Sequence, residues 1–363
     1  MKTNDLKNPP RFRAPAVHIA LGTMGIMNAT HAVKAEVKFG IPIAARMPVL
    51  AVETAESART YSAPGGPDFP SVSLPDESIL ILRDRSTHEL AAMAQRHPRT
   101  RSYARKLSAL PPTSTKEGAG GHRILSLTSF LAELPELDLR IPRLLIQERD
   151  RCRFGAQSDE GHSQSGSEEM AVYISGAGYG STCSGAALLI ASRVRHHAHL
   201  LGLKVRIHLL LVSASVAKTN DSITAWANLG ITCKAAMKAM EDASKIVFHT
   251  FTGGTISHEP HSRLVDTLTL WGNSTGSLVA SDREETAASV GLLVFYLVHS
   301  TLAGISEQAF CDSAKMVIDR SLGYRGFRRL GIARFAVDRE LNRRVAFNAA
   351  VRQISQIINP SAI

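Results

Sequence analysis

The sequence predicts an α/β fold built on a doubly wound, mostly parallel β-sheet. Short apolar runs recur along the chain, and most are near-continuous, which is typical of strands covered by helices on both faces. Helical patterns separate these runs, and such alternation favours parallel strands joined by crossover helices. A length of 363 residues is sufficient for one large domain or two smaller ones.

Six apolar runs are predicted strands, over residues 16–21, 48–52, 78–82, 171–175, 204–212 and 246–251. Helical patterns occupy residues 22–37, 186–201 and 222–243, and another begins at Leu125. The motif Ser281-Asp-Arg-Glu284 is a capping box that opens an apolar helix running to about Ser300. Its apolar run, residues 290–298, is shorter than the ~20 residues of a membrane span, so we expect a buried core helix.

The composition is that of a soluble globular protein, with 44% hydrophobic and 20% charged residues. The cysteines, which are Cys152, Cys183, Cys233 and Cys311, are far apart and form no CxxC pair. This spacing argues against a disulfide framework or a structural zinc site. Because the polar N-terminus also has no signal-peptide pattern, we expect a cytoplasmic protein.

Basic residues are concentrated in two stretches of a chain that has 42 Lys and Arg against 32 Asp and Glu. Residues 95–123 hold seven basic residues against Glu117, and residues 320–344 hold eight arginines against Asp338 and Glu340. Such a stretch can contact an acidic protein, nucleic acid or a lipid surface, or it can be an ordinary solvated face. No RNA- or DNA-binding motif accompanies either stretch, which favours the solvated face.

Glycine-rich or polar turns occur in series beside the predicted strands. They are Gly22-Thr-Met-Gly25, Glu53-Thr54, Gly118-Ala-Gly-Gly-His122, residues 176–185 and Ser213-Ala-Ser215. Glycines let an anion approach the main chain, and a helix N-terminus offers N–H groups and the positive end of its dipole. Ligands of open parallel sheets bind beyond the carboxyl ends of the strands. The series therefore predicts a nucleotide site in which several backbone turns share the phosphate charge.

At these turns the chain resembles the tubulin/FtsZ superfamily, and more closely its divergent bacterial tubulin-like members. The resemblance rests on the order of segments 19–25, 51–57, 117–123, 179–187, 222–243 and 327–335, and it covers roughly residues 16–350. The family signature G-G-G-T-G-[ST]-G-A-A is matched at Gly180, Thr182, Ser184, Gly185, Ala186 and Ala187. The resemblance implies binding of GTP or GDP with Mg²⁺ and a role in a cytoskeletal-type filament or another oligomeric assembly.

The resemblance also implies the residues that contact the nucleotide. They are Gly22, Thr23, Met24 and Gly25 in the first phosphate loop, Glu53 after the second strand, Gly120 and Gly121 at the terminal phosphate, and Gly178, Gly180, Ser181, Thr182, Cys183, Ser184 and Gly185 in the signature loop. Thr182 faces a phosphate or its Mg²⁺ in this scheme, or else it caps the following helix. Asn228 reads guanine through its amide, or else it is a helix-surface amide.

The sequence departs from the family in the signature loop, where Tyr179, Ser181 and Cys183 stand at glycine positions and narrow the space for phosphate. Glu53 stands where the family has Asn, and its carboxylate adds repulsion to a polyphosphate.

A second departure concerns hydrolysis. The family's acidic loop N-x-D-x-x-[DE] corresponds to residues 307–312, where Ala309 replaces the first acid. Asp312 is the candidate catalytic carboxylate, or else a helix-start cap. We therefore expect weak or absent hydrolysis. The alternative is a self-assembling GTPase whose active site is completed across a head-to-tail subunit contact.

The resemblance divides the chain into four parts: a flexible lead-in (1–15), a nucleotide-binding domain (16–280) with insertions near 62–76 and 157–169, a central core helix (281–303) and a short Arg-rich C-terminal region (304–363). The expected partners are a second copy or a related subunit through head-to-tail contacts, and a protein bound by residues 320–344. Nucleic acid or a membrane surface is a further possible contact of the two basic stretches.

An NAD-dependent oxidoreductase is a further interpretation, because a glycine turn follows the first strand and Glu53 ends the second as a ribose-binding acid would. The full G-x-G-x-x-G spacing is missing, and the glycine turns at 118–122 and 176–185 have no role in that scheme.

Overall fold

The computed structural model describes residues 15–65, 70–116, 118–157, 169–216, 222–271, 283–299 and 327–330. Its strands are β1 Ala16–Leu21, β2 Val49–Glu53, β3 Ser62–Ala63, β4 Val72–Ser73, β5 Ile79–Ile81, β6 Glu169–Ala177, β7 Lys204–Val212, β8 Phe248–His249, β9 Thr255–Ile256, β10 Thr267–Trp271 and β11 Phe327–Leu330. Its helices are α1 Gly22–Lys38, α2 Thr87–Gln95, α3 Arg101–Ser108, α4 Arg123–Ala132, α5 Leu134–Gln157, α6 Ser181–Leu200, α7 Ser222–Glu241 and α8 Arg283–His299. These elements lie in one compact unit, residues 1–330, and the second unit, residues 331–363, lies outside the described residues.

Seven strands form one sheet in the order β11-β10-β7-β6-β1-β2-β5, and every neighbouring pair is parallel. The predicted α/β class with a parallel sheet is confirmed. The chain moves outward from β1 to β2 and β5, and then returns to β6 on the other side of β1. This reversal places a topological switch point at the carboxyl ends of β1 and β6, where open α/β sheets bind ligands.

Helices cover both faces of the sheet, as a doubly wound fold requires. Val17, Ile19 and Leu21 of β1 belong to one buried cluster with residues of α4, α5, α6 and α7. Ala16 and Ala20 point to the opposite face, which α1 and α8 cover. Because every residue of β1 is buried, its apolar run carries no alternation, as expected for a central strand.

Helices α1 and α8 are joined by a close crossing and by two His–Glu pairs. His31 lies 2.7 Å from Glu284 at the start of α8, and His299 at its end lies 2.6 Å from Glu36. Between these pairs Gly291 faces α1 so closely that an added Cβ would come within 2.7 Å of two backbone atoms. The predicted buried core helix is therefore present over Arg283–His299, while the capping residue Ser281 lies outside the described residues.

The strand predicted over residues 246–251 is wrong in extent and place. Only Phe248–His249 is extended, and it pairs antiparallel with β9 outside the main sheet. The chain turns back because Gly253, at φ +86°, donates its N–H to the Thr250 carbonyl. The position beside β7 belongs to β10, which we did not predict because its alternating Thr and Leu residues do not form a continuous apolar run.

One helix boundary also differs from the prediction. Helix α6 begins at Ser181, five residues before the predicted start, because half of the signature loop forms its first turn. The segment 62–76, predicted to be an insertion, contains the β3–β4 ribbon. No helix within the described ranges is long and apolar enough to cross a membrane.

We expect Gly291→Ala to lower the free energy of unfolding by about 1–3 kcal/mol, because the new methyl group overpacks backbone atoms that cannot move aside. Gly230→Ala on α7 is the matched control. Apart from its chain neighbours and the backbone of its own helix, no atom of the described residues lies within 4 Å of its added Cβ, so helix propensity predicts a gain of up to about 1 kcal/mol. Urea denaturation of both variants measures the difference, and equal effects would contradict the packing argument.

Candidate functional site

A cleft of about 380 Å³ opens at the switch point. Its walls come from five segments: residues 21–24 with Met27, Glu53 with Ala55, residues 118–120, Ala177 with residues 179–183, and Arg283. Three of these segments follow directly from β1, β2 and β6, whose carboxyl ends lie side by side. The volume is in the range of small-molecule sites.

Two helices begin at this cleft. Helix α1 starts at Gly22 and α6 starts at Ser181, and both residues line the walls. The N-cap residues Leu21 and Gly180 make no side-chain capping hydrogen bond. The first-turn N–H groups and the positive dipole ends of two helices therefore lie at one space, an arrangement that favours an anion.

Glycine is required at the turns that approach the cleft. Gly22 has φ +77°, and an added Cβ there would lie 3.2 Å from the Thr182 Cβ. Gly118, Gly120 and Gly121 also have positive φ, at +99°, +53° and +83°. Side chains rarely adopt such backbone angles, so the turn before α4 depends on its glycines.

Six of the predicted site residues do not line the cleft: Gly121 and Asn228, and four that pack behind its loops, which are Gly25, Gly178, Ser184 and Gly185. An added Cβ at Gly25, Gly178 or Gly185 would come within 2.8, 2.7 and 2.5 Å of neighbouring atoms, respectively, so these glycines allow close packing of the elements. The carbonyl oxygen of Ser184 accepts two hydrogen bonds from the Arg123 guanidinium, at 2.7 and 3.0 Å. These residues support the loops from behind.

The Glu53 carboxylate connects the first loop to α6. Its Oε2 accepts a hydrogen bond from the Thr23 hydroxyl at 2.8 Å, and its Oε1 accepts one from the Thr182 hydroxyl at 3.1 Å. The Thr54 N–H and hydroxyl donate to Oε1 at 2.6 and 3.1 Å, and Glu53 is only 2% exposed. The Thr182 hydroxyl, expected at a phosphate or Mg²⁺, is thus directed to a carboxylate in this structure.

Carboxylate and hydroxyl oxygens are ligands that Mg²⁺ accepts, so the donor set around Glu53 fits a hard cation. No group of three or more His, Cys, Asp or Glu side chains suited to a metal ion occurs within the described part of the chain. A cation at Glu53 would therefore depend on ligand oxygens and water as well as on protein.

Asn228 is buried on α7 and ties two loops together. Its amide nitrogen donates to the carbonyl oxygens of Gly121, at 3.0 Å, and Tyr179, at 3.2 Å. The glycine turn and the signature loop are thus held by one side chain. Reading of a base by this amide stays a prediction.

Arg283 is the cleft residue that sequence reasoning missed most clearly. It is the first residue of α8, about one hundred positions from the signature loop, and it donates a hydrogen bond to the Tyr179 hydroxyl. Burial raises the pKa of Tyr179, and the nearby Arg283 opposes that rise. The available signal was a basic residue inside a predicted capping box, where a cation is unfavourable. The other lining residues outside the predicted contact set are Leu21, Met27 and Ala55, together with Gly118, Ala119, Ala177 and Tyr179, which belong to turns that the sequence predicted at the site.

Several predictions concern residues outside the described ranges, among them the lead-in up to residue 14 and residues 158–168 of the predicted insertion. Asp312, the candidate catalytic carboxylate, lies there. So does the basic stretch 320–344, except for the backbone of β11.

Cys183 lies in the first turn of α6, where a helix N-terminus would favour a thiolate, but burial raises the pKa of its thiol to about 12. We therefore expect iodoacetamide at pH 8 to leave Cys183 unmodified in the folded protein and to modify it after unfolding. Mass spectrometry of the labelled protein measures this, with the half-buried Cys152 as an internal comparison. Rapid native alkylation of Cys183 would contradict the assignment.

No protein-family model matches the chain, and no curated protein matches it significantly. Three solved structures are similar in fold: a GTPγS-bound protofilament of CetZ2 from Haloferax volcanii (13% identity, TM-score 0.41), CetZ from Methanosaeta thermophila (9%, 0.44) and a GTPγS-form protofilament of TubZ from Bacillus thuringiensis serovar israelensis (13%, 0.39). The matches cover 82%, 84% and 82% of this chain but 63%, 59% and 58% of those chains, which is less than two thirds of their length. These solved structures are members of the tubulin/FtsZ superfamily, the family that the sequence motifs of this chain resemble.

Proposed function

We propose that this protein binds a guanine nucleotide, GTP or GDP with Mg²⁺, in the cleft, and that it hydrolyses the nucleotide weakly or not at all. One observation carries the proposal. The N-termini of α1 and α6, neither with a side-chain cap, meet a turn of positive-φ glycines around one space of about 380 Å³. Such a space suits a polyphosphate because backbone N–H groups and two helix dipoles stabilise its charge.

The residues have separate roles in this proposal. The backbone at Gly22, Gly120 and Thr182 would hold the phosphates. The Glu53 carboxylate, with the hydroxyls of Thr23 and Thr182, would hold Mg²⁺, which neutralises phosphate charge when it is bound. Asn228 keeps the two glycine-containing loops in place.

Weak hydrolysis follows from the carboxylates available. Glu53 is the only carboxylate among the described lining residues, and it accepts four hydrogen bonds from threonine groups. It is therefore poorly placed to position an attacking water.

The motif resemblance further implies head-to-tail self-association and a protein partner for residues 320–344. The scattered cysteines favour a cytoplasmic setting.

Gly22→Ala is expected to abolish nucleotide binding, while Gly40→Ala retains it. Both glycines have positive φ, at +77° and +71°, so each substitution costs about 1–2 kcal/mol of backbone strain. Only Gly22 lies in the cleft, whereas no atom of the described residues beyond its chain neighbours is within 4 Å of an added Cβ at Gly40. Thermal unfolding with Mg²⁺ and GTP, GDP, ATP or NAD measures binding, since ligand at 100 times Kd stabilises the folded state by about 2.7 kcal/mol.

The other outcomes distinguish the alternatives. Stabilisation by NAD and not by guanine nucleotides would support the oxidoreductase. Turnover that rises steeply with protein concentration would support the self-assembling GTPase with a shared active site. No stabilisation by any guanine nucleotide would overturn the proposal.

Glu53→Gln is expected to bind Mg²⁺-free GDP roughly tenfold more tightly than the natural protein, because it removes a buried negative charge beside the phosphates. The same variant loses the gain in affinity that Mg²⁺ provides. Titration of a fluorescent GDP analogue with and without Mg²⁺ measures both effects. The exposed Glu77→Gln, outside the cleft, is the control, and an unchanged Mg²⁺ dependence in Glu53→Gln would contradict the assignment.

A further inference from the structure

The two ends of the cleft differ in chemistry. One end is polar and contains the Glu53 carboxylate, the threonine hydroxyls and the start of α6. The other end is apolar: Met24, Met27 and Tyr179 pack there in one cluster with Ala287 of α8. Phosphates suit the first end, and the flat apolar face of a nucleotide base suits the second. A nucleotide in the cleft would therefore place its phosphates toward Glu53 and its base toward Met24, Met27 and Tyr179.

Arg283 lies at the apolar end, one turn before Ala287. It is exposed, lines the cleft and donates a hydrogen bond to the Tyr179 hydroxyl. A cation in the first turn of a helix is opposed by the helix dipole, so helix stability does not explain this residue. The adjacent carboxylate of Glu284 accepts hydrogen bonds from Tyr61, at 2.8 Å, and is paired with His31, on another side of α8.

The chemistry of the guanidinium determines what it can recognise. Arginine carries five N–H donors in a planar fork and has no acceptor. Guanine and hypoxanthine present two acceptors, O6 and N7, on one edge, whereas adenine presents a donor, the N6 amino group, in place of O6. A donor-only fork therefore accepts the first two bases and disfavours adenine.

We propose that Arg283 is the residue that selects the base, by donating hydrogen bonds to the O6 and N7 acceptors of a 6-oxopurine nucleotide. This inference rests on the proposed function and extends it to the choice between guanine and adenine. Arg283 and Tyr179 line the same part of the cleft, and the guanidinium interacts with the Tyr179 hydroxyl. Because the phenol is neutral, it leaves the charge and the remaining donors of Arg283 available to a base.

Affinities of the natural protein for GTP, ITP and ATP, each with Mg²⁺, provide the first test. Inosine keeps O6 and N7 but lacks the 2-amino group of guanine, so we expect ITP to bind as well as GTP. Both are expected to bind about 10- to 100-fold more tightly than ATP. ITP binding as weak as that of ATP, or equal binding of GTP and ATP, would overturn the inference without any variant.

Arg283→Gln is expected to lower the affinity for GTP and ITP to about that for ATP and to leave inorganic tripolyphosphate binding unchanged. Arg283→Lys keeps the charge but not the fork, so it restores little of the preference for GTP over ATP. Arg101→Gln, at an exposed arginine on α3, is the matched control. Melting temperatures without ligand establish that the variants are folded.

The remaining outcomes separate this inference from the proposed function. Equal losses of GTP, ATP and tripolyphosphate binding in Arg283→Gln would assign Arg283 to the phosphates and overturn base selection. An unchanged ratio of GTP to ATP affinity in that variant would also overturn it. Failure of the natural protein to bind any nucleotide would instead overturn the proposed function.

Discussion

The parallel register of β1 with its two neighbours is the constraint on which the site depends. Leu21, the last residue of β1, is level with Val52 of β2 and with Gly176 of β6. Three loops from distant parts of the chain therefore leave the sheet at the same height. A shift of one residue in the β1–β2 pairing would turn Glu53 to the opposite face and move it away from Thr23 and Thr182.

The balance of charge at the cleft is unusual for an anion site. Its only charged lining residues within the described chain are Glu53 and Arg283. The Glu53 carboxylate repels phosphate, and the Arg283 guanidinium attracts hydrogen-bond acceptors. The attraction for an anion must therefore come mainly from backbone N–H groups and the dipoles of α1 and α6. A divalent cation at Glu53 would reverse the local sign, which couples nucleotide and metal binding.

Much of the fold and part of the site were predictable from local sequence. β1 and β7 have the predicted ends because each is a compact apolar run bounded by polar or glycine residues. The glycine turns were predictable because positive φ and close approach require glycine wherever they occur. By contrast, β10 was missed because buried threonines alternate with leucines in it, and their burial depends on the helices that cover this face.

Residues able to bind an anion were recognisable from their types and local positions: glycines at turns, hydroxyls at a helix start and, for a cation beside the anion, a carboxylate after a strand. Which of them share the cleft depends on the packing of the whole fold. It placed Gly25, Gly178 and Gly185 behind the loops, directed Thr182 to Glu53 and brought Arg283 to Tyr179. The physical reason is that local preferences act over a few residues, whereas strand order and helix packing join segments far apart in the chain.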